Sequence, residues 1–482
     1  MVNKTINFLL NNEKISVDFQ PGMLLLDFIR SNKGLTGTKE SCREGDCGAC
    51  LVLLGEAFES DVRYSPVNSC ILPLGEVHEK HVVTIEGINK GSLNPLQEAF
   101  TEEGAIQCGY CTPGFVVSLT AYFLNSETFN EEEAVSYIDG NICRCTGYVS
   151  IIRAVEKVCK ELDSSLEKNG SSKCTIQRIR LLVGIEMLPE YFLNIPERLQ
   201  QLSVNKNVKI KNISKESVLV GGGTDLYVHN PNYLINKNLT FLSNNKDLRK
   251  IWIDKEKCYI GAMTTAEDIK NSTTIKKIFP SIDKYFKLIA STPIRHRATL
   301  GGNIINASPI GDLTIFFLAL NASIVLSNGI KKRELLLKNF FKDYKQLYKK
   351  DREILEYLSF EILNKNSLFN FEKVSQRRNL DIASVNSAIK LQYVDGIIKS
   401  INLSAGGVAS IPLYLYKTSE YLTGKEISGT LIKEASKIAQ SEISPISDVR
   451  GSKEYKRLLT RQIIYSHFVT LFPEKIATEV LL

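Results

Sequence analysis

The sequence has little that a membrane or an export pathway would read. Its longest apolar stretch, residues 313–326, is too short and too interrupted to span a bilayer. The opening MVNKTINFLL lacks the basic segment, long apolar core and small-residue cleavage site of a signal peptide, so a soluble cytoplasmic protein is expected. No basic stretch interleaved with aromatics suggests nucleic acid. The composition also excludes a disordered or collagen-like chain, because 43% of the 482 residues are hydrophobic and 23% charged. That length fits about three domains.

The net charge of +7 conceals an asymmetry. Residues 1–165 carry 13 Lys and Arg against 23 Asp and Glu, whereas the remainder carries 47 against 30. A basic half suits a phosphate-bearing ligand, although a lysine-rich solvated surface has the same composition. Cysteine is more informative. Of 11 cysteines, eight lie between Cys42 and Cys145, while Cys159, Cys174 and Cys258 are scattered. Without an export signal, such clusters point to metal ligands or catalytic thiols before disulfides.

Residues 1–20 read as two strands, TINFLL and KISVDF, joined by an Asn-Asn turn. LLLDFIRSN then reads as an amphipathic helix with Leu24, Leu25, Phe28 and Ile29 on one side. Cys42, Cys47 and Cys50 follow on a loop that contains Gly45 and Gly48 and leads into the strand LVLL, and Cys70 comes 20 residues later. This C-x4-C-x2-C…C spacing is the plant-type 2Fe-2S pattern. Three thiolates come from one loop only if its glycines let the backbone wrap closely. A structural zinc site is the alternative, but it more often pairs two CxxC units.

A second set comprises Cys108 and Cys111 in QCGYCTPGF, and Cys143 and Cys145 in NICRCTGY. Each pair precedes a helix, with Thr112 and Thr146 as candidate N-caps and Pro113 at the first helical position. Positive helix ends favour the negative charge of an iron–thiolate cluster. Zinc is again the alternative. Cys159 falls on the apolar stripe of the second helix with Ile151, Ile152, Val155, Val158 and Leu162, and reads as core.

Beyond a polar stretch read as a linker, which carries Cys174 as a free surface thiol, VLVGGGTDL is a strand entering a triple-glycine turn. It is not G-x-G-x-x-G, but backbone without Cβ atoms can bring N–H groups close to a pyrophosphate. A second such turn, ATLGGN, leads on to Asp312. Two such turns can embrace a dinucleotide, with Thr224 and Thr299 donating to phosphate and Asp225 and Asp312 accepting from hydroxyls; alternatively each Asp closes its own turn. Lys373, Arg377 and Arg378 are candidates for anionic contacts or for a solvated charge cluster. His296 reads as a surface residue and Trp252 as core.

Together, ESCREGDCGAC, IQCGYCTPGF, NICRCTGY, VGGGTDL, ATLGGNIINASPIGDL and VSQRRNLDIASVNSAI resemble the iron–sulfur and FAD domains of molybdenum hydroxylases. Both iron–sulfur domains fused to an FAD domain, without a molybdenum domain, is similar to the small subunit of bacterial xanthine dehydrogenases. The resemblance implies an α+β multidomain fold. Its parts would be a β-grasp 2Fe-2S ferredoxin domain at 1–88, an all-α helical-bundle 2Fe-2S domain at 89–163 and a linker at 164–185. An α+β FAD-binding domain at 186–365 and a C-terminal α/β flavoprotein (CO dehydrogenase-like) domain at 366–482 would follow.

By the same resemblance Cys42, Cys47, Cys50 and Cys70 hold the ferredoxin-type cluster, and Cys108, Cys111, Cys143 and Cys145 the cluster nearer molybdenum, with Gln107 beside the pterin. The flavin contacts map onto Leu219, Val220, Gly221, Gly222, Gly223, Thr224, Asp225, Leu226, Thr299, Gly301, Gly302, Asn303, Asp312, Leu355 and Lys373. No catalytic residue for the hydroxylation is expected in this chain. A partner large subunit bearing the molybdenum-pterin would oxidise hypoxanthine and xanthine to urate, in paired heterodimers. Electrons would pass through two 2Fe-2S clusters to FAD and then to NAD. An aldehyde or N-heterocycle substrate, or a module that does not use NAD, is the alternative. One departure bears on NAD: the family's FFxGYR segment reads Phe340-Phe341-Lys342-Asp343-Tyr344-Lys345 here, without the Gly and the Arg.

Overall fold

The structure is a computed structural model describing residues 4–58, 61–169, 174–202, 210, 213–214, 216–243, 245–377 and 379–477. Arg378 lies outside the described residues. The chain forms two compact units. The first takes Met1–Asn207, Glu216–Phe241 and Ser291–Arg297; the second takes Val208–Lys215, Leu242–Ala290 and Ala298–Leu482.

In the first unit, β1 (Lys4–Leu10) and β2 (Glu13–Phe19) pair antiparallel across the expected Asn turn, in which Asn11 adopts φ 51°. Strands β3 (Leu51–Phe58), β4 (Asp61–Asn68) and β5 (His81–Val83) complete a mixed sheet of order β2-β1-β5-β3-β4, with β1 parallel to β5. Alternate residues bury to opposite faces. Phe8, Leu10, Val52 and Leu54 meet Leu25, Phe28 and Ile29, whereas Leu9, Leu51 and Leu53 meet the helices of the next segment. The helix expected at LLLDFIRSN is split: Leu25–Asp27 is α-helical and Phe28–Asn32 widens into a π-helical turn.

The helical part centres on Thr112–Asn125, apolar almost all round and buried from Gly114 to Leu124. Val149–Asn169 packs on the helices Pro95–Glu102 and Glu131–Tyr137 and joins the same core through Ile151, Val155, Val158, Cys159 and Leu162, so Cys159 is a core residue. The stretch expected as a linker is helical on both sides of residues 170–173. Its second helix, Thr175–Gly184, buries Ile179 and Leu182 in the same core. The Asp61 carboxylate accepts from the N–H groups of Thr175 and Ile176, satisfying the first amides of that helix. Two short parallel strands, β6 (Val218–Val220) and β7 (Leu239–Phe241), complete the unit.

In the second unit, β8 (Ile251–Asp254), β9 (Lys257–Gly261), β10 (Ser323–Ser327), β11 (Lys332–Leu336) and, after a small hairpin of β12 (Phe341–Asp343) and β13 (Gln346–Leu347), β14 (Ile354–Glu361) form two sheets. The larger is antiparallel, in the order β11-β10-β14-β9-β8. Trp252 is half-buried rather than core, because β8 is an edge strand; its ring stacks on Tyr259 at 5.1 Å. A further antiparallel sheet comprises β15 (Ser367–Val374), β16 (Val385–Val394), β17 (Ile397–Gly406) and β18 (Leu413–Tyr414). The helices Tyr416–Leu422, Gly429–Glu442 and Lys453–Leu471 share its main apolar core. The helix Asp312–Ala319 packs on β16 and β17, where Ser404 Oγ donates to the Ile315 carbonyl. Among the described residues no helix is long and apolar enough to cross a membrane.

Candidate functional site

Cys42, Cys47 and Cys50 lie on the loop between the π-helical turn and β3, and Cys70 on the turn after β4. Gly45 and Gly48 adopt φ of 79° and 71°, the conformation that lets the loop wrap. Arg43 pins the loop to its surroundings, its guanidinium meeting Asp27 and Glu40 at 2.6 Å each. Cys42 Sγ accepts from the Glu44 N–H at 3.4 Å. Hydrogen bonds from Cys47 and Cys70 hold Cys42 far below the usual thiol range, and Cys70 lowers Cys50 in the same way. Cys47 and Cys70 are pushed up correspondingly, first by their sulfur neighbours. Thiolate is the form that ligates a metal.

The second set pairs Cys108 with Cys145, their sulfurs 3.6 Å apart. Cys111 is pushed up to about 12 by burial and then by its bond to Cys143. Cys143 is lowered despite burial, because Thr146 bonds to its sulfur through both the hydroxyl, at 3.1 Å, and the backbone. Neither expected threonine cap holds. Cys111 is the N-cap of Thr112–Asn125, placing Thr112 at the first helical position and Pro113 at the second. Thr146 stands outside Val149–Asn169, and its Oγ1 accepts from the Tyr148 N–H. Proline needs only the first turn, so one residue of shift costs nothing. Cys108 and Cys145 are exposed, as is Gln107.

The two loops touch through their backbones. The Ile142 N–H donates to the Cys47 carbonyl at 3.0 Å, and a Cβ on Gly48 would lie 2.5 Å from the Gly140 oxygen. Each quartet offers four thiols, the donor set of a 2Fe-2S cluster. Among the described residues no group of three or more His, Cys, Asp or Glu forms a single-ion site.

The candidate flavin residues divide between the units. In the first, Leu219 and Val220 end β6, and Gly221 to Asp225 form the turn into the short helix Leu226–His229. Val220 and Leu226 share an apolar cluster with Cys50, Cys70, Tyr227 and Ile294. The first cysteine loop and the glycine turn are therefore built on common packing. Asp225 is exposed and lies 3.6 Å from His229. Two residues that carry no motif also belong here: Arg297 donates to Glu76 and to the Gly222 carbonyl.

In the second unit, Thr299 caps Leu300–Asn306, its Oγ1 accepting from the Gly302 N–H at 3.0 Å and its own hydroxyl hydrogen remaining to donate. The Gly301 N–H bonds to Ala262, and a Cβ there would lie 2.8 Å from the Ala262 oxygen, so the tight approach requires glycine. Asn303 Oδ1 accepts from both the N–H and the hydroxyl of Thr314. Asp312 and Lys373 form an ion pair at 2.8 Å, and Lys373 also donates to the Leu288 carbonyl. Asn386 reaches the other Asp312 oxygen at 2.5 Å. Lys373 is thus a buried partner and not part of a solvated cluster; Arg377 instead meets Asp381. Leu355 is buried on β14 opposite Leu326. Sequence reasoning missed Asn386, Glu76 and Arg297, none of which carries a motif.

Four family models match the chain: a 2Fe-2S iron–sulfur cluster binding domain at 8–74, a [2Fe-2S] binding domain at 84–156, an FAD binding domain in molybdopterin dehydrogenase at 196–360, and a CO dehydrogenase flavoprotein C-terminal domain at 371–471. They mark two 2Fe-2S domains, an FAD-binding domain and a C-terminal flavoprotein domain, a set of parts similar to the iron–sulfur and FAD electron-transfer modules of molybdenum hydroxylases. The chain is 28% identical to xanthine dehydrogenase of Emericella nidulans, over 88% of this chain and 35% of that protein. It is 29% identical to xanthine dehydrogenase 1 of Arabidopsis thaliana (93% and 38%) and 26% identical to aldehyde oxidase 2 of Rattus norvegicus (97% and 39%). The chain spans well under half the length of these relatives. In fold it resembles a carbon monoxide dehydrogenase chain from Hydrogenophaga pseudoflava, with TM-score 0.53 and 22% identity over 56% of this chain and 96% of that one. Quinoline 2-oxidoreductase from Pseudomonas putida 86 gives a TM-score of 0.50 at 22% identity, over 55% and 92%.

Proposed function

We propose that this chain is the electron-transfer subunit of a xanthine dehydrogenase of the bacterial, split type. Its partner would be a molybdenum–pterin subunit that oxidises hypoxanthine and xanthine to urate, and its acceptor would be NAD. When bound, two 2Fe-2S clusters carry single electrons and FAD exchanges them for a two-electron hydride, which is the chemistry the cofactors supply. Cys42, Cys47, Cys50 and Cys70 would hold one cluster, and Cys108, Cys111, Cys143 and Cys145 the other. Residues 219–226, with Thr299, Gly301, Gly302, Asn303, Asp312, Leu355 and Lys373, would serve FAD.

The observation that carries this reading is the serial order within the first unit. Cys108 and Cys145 lie at the surface. Their loop is bonded to the first cysteine loop through Ile142 and Cys47. Cys50 and Cys70 in turn share a core with the glycine-turn residues Val220 and Leu226. An exposed entry leading inward to a flavin turn suits delivery from a partner. The test is xanthine-dependent NADH formation by the native complex isolated through a tag on this chain. Activity that disappears when the molybdenum-bearing partner is stripped away supports the proposal. A complex holding molybdenum, iron and FAD that ignores xanthine refutes the substrate and favours an aldehyde or N-heterocycle.

A second reading, electron delivery to an acceptor other than NAD, has one specific observation behind it. The segment that in the family reads FFxGYR forms β12, the turn at Tyr344 and Lys345, and β13, and Lys345 is tied to Asn306 through that residue's carbonyl at 2.7 Å and side chain at 2.6 Å. A lysine so occupied replaces the family's arginine. A purified chain that holds FAD and iron but shows no NADH-dependent dye reduction favours this reading.

A further inference from the structure

We infer that Glu76 and Arg297 form a positioning pair for the glycine turn, so that FAD retention depends on a buried ion pair whose carboxylate comes from the ferredoxin-type domain. This rests on the reading of residues 219–226 as flavin contacts. Arg297 Nη2 lies 2.9 Å from Glu76 Oε2 and 3.3 Å from the Gly222 carbonyl oxygen. Glu76 sits on the turn Leu74–Val77, after Cys70 and before β5, and is fully buried; Arg297 is 8% exposed. Charges of alternating sign lead up to it: Glu56 meets Lys80 at 2.7 Å, and Lys80 faces Glu76 at 3.9 Å. The turn bearing Glu76 is locked in place, since a Cβ on Gly75 would lie 2.3 Å from the Phe241 ring.

Such a network is a poor stability device. Desolvating buried charges costs about as much as their attraction returns. Arg297 Nε and the Tyr227 hydroxyl are also buried without a partner, which adds cost. What the pair does is fix the direction of one carbonyl. Across a trans peptide the C=O and the following N–H point opposite ways. Drawing the Gly222 oxygen toward Arg297 therefore turns the Gly223 N–H to the other side, where a cluster of backbone donors can meet an anion. Gly223 adopts φ 79° to continue the turn.

The same short segment contains its own control. Arg295 Nη2 meets Asp139 at 3.1 Å, with both side chains largely shielded from solvent, and also donates to Thr292 Oγ1, so this pair anchors the segment to the helical part. The experiment measures FAD affinity by equilibrium dialysis of the full chain with its partner, alongside iron content and the electron paramagnetic resonance of each cluster. Arg297→Lys keeps the charge and loses the fork; it should weaken FAD about tenfold with iron and both cluster signals intact. Glu76→Gln should act in the same direction, and Arg295→Lys should leave FAD affinity within about twofold. Unchanged FAD affinity in Arg297→Lys overturns the inference. So does an equal loss in Arg295→Lys, or loss of iron together with FAD in both Arg297→Lys and Glu76→Gln, since those outcomes describe general loosening. A wild-type chain that keeps iron yet never binds FAD removes the flavin reading itself, a result distinct from these.

Discussion

The two cysteine quartets converge four thiols by opposite means. The first takes three from a single loop, shaped by Gly45 and Gly48, and ends largely buried. The second takes two from each of two short segments that meet in front of helices, and leaves Cys108 and Cys145 exposed. A one-loop site is written in local spacing. A two-segment site exists only once the helices have packed. The first therefore depends on the backbone of its own loop, and the second on the packing that brings its two segments together.

The largest effects separate the quartets directly. Cys42→Ser and Cys108→Ser should each remove about half of the iron while FAD stays bound, since each strikes one two-iron cluster; iron analysis that finds no change in either variant breaks the assignment. Gly48→Ala tests their dependence on each other. Its Cβ would strike the Gly140 oxygen at 2.5 Å, and φ is 71°, so both loops should be disturbed and both cluster signals should fall. Gly147→Ala is the counterpart in the second loop, with φ 63° but nothing within 4 Å. It should cost only the strain of left-handed backbone, roughly 1–2 kcal/mol, and keep its iron. Equal iron contents in the two glycine variants would remove the distinction.

The next effect belongs to the second unit. Asp312→Ala should weaken FAD retention and also destabilise, because it strands the buried Lys373 ammonium. Breaking one side of such a pair costs about 3–5 kcal/mol. Asp312→Ala combined with Lys373→Met should recover most of the melting temperature without recovering FAD. Full FAD occupancy after dialysis of Asp312→Ala contradicts a role for this carboxylate in flavin retention.

The fold was legible wherever chemistry imposes a spacing. The Asn11 turn, both cysteine sets and both glycine turns announce themselves, because converging thiols and Cβ-free backbone leave few alternatives. What escaped notice was set by packing. The linker expected at residues 164–185, read from the polar stretch 161–174, hid the helix Thr175–Gly184, which buries Ile179 and Leu182 beyond the polar residues. Trp252 stays half-buried because β8 happens to be an edge. Glu76 and Arg297 lie 221 positions apart, and nothing local marks either as the other's partner.

The smallest effect concerns a device the two units share. His81 in the first unit and His467 in the second are fully buried, and burial lowers both to about 3. Each is fixed as the neutral tautomer. The Asn11 carbonyl at 2.9 Å can only accept, so His81 Nε2 carries the hydrogen and Nδ1 accepts from the Tyr64 hydroxyl at 2.8 Å. The Asn370 amide approaches His467 Nδ1 at 3.1 Å as a donor, and Nε2 then donates to Ser387 Oγ at 3.0 Å, whose own hydrogen goes to the Ser404 carbonyl. A second proton would confront the Asn370 donor directly. An unfolded histidine takes up that proton near pH 6.5. Between about pH 6.5 and 3 the unfolded chain therefore binds more protons than the folded one, so stability is complete above 6.5 and falls as the solution is acidified. Thermal unfolding followed from pH 7 to 4.5 should show a declining midpoint, and His467→Gln should flatten that decline for the second unit alone. A decline of unchanged slope in both His81→Gln and His467→Gln would mean that neither histidine is the group being titrated.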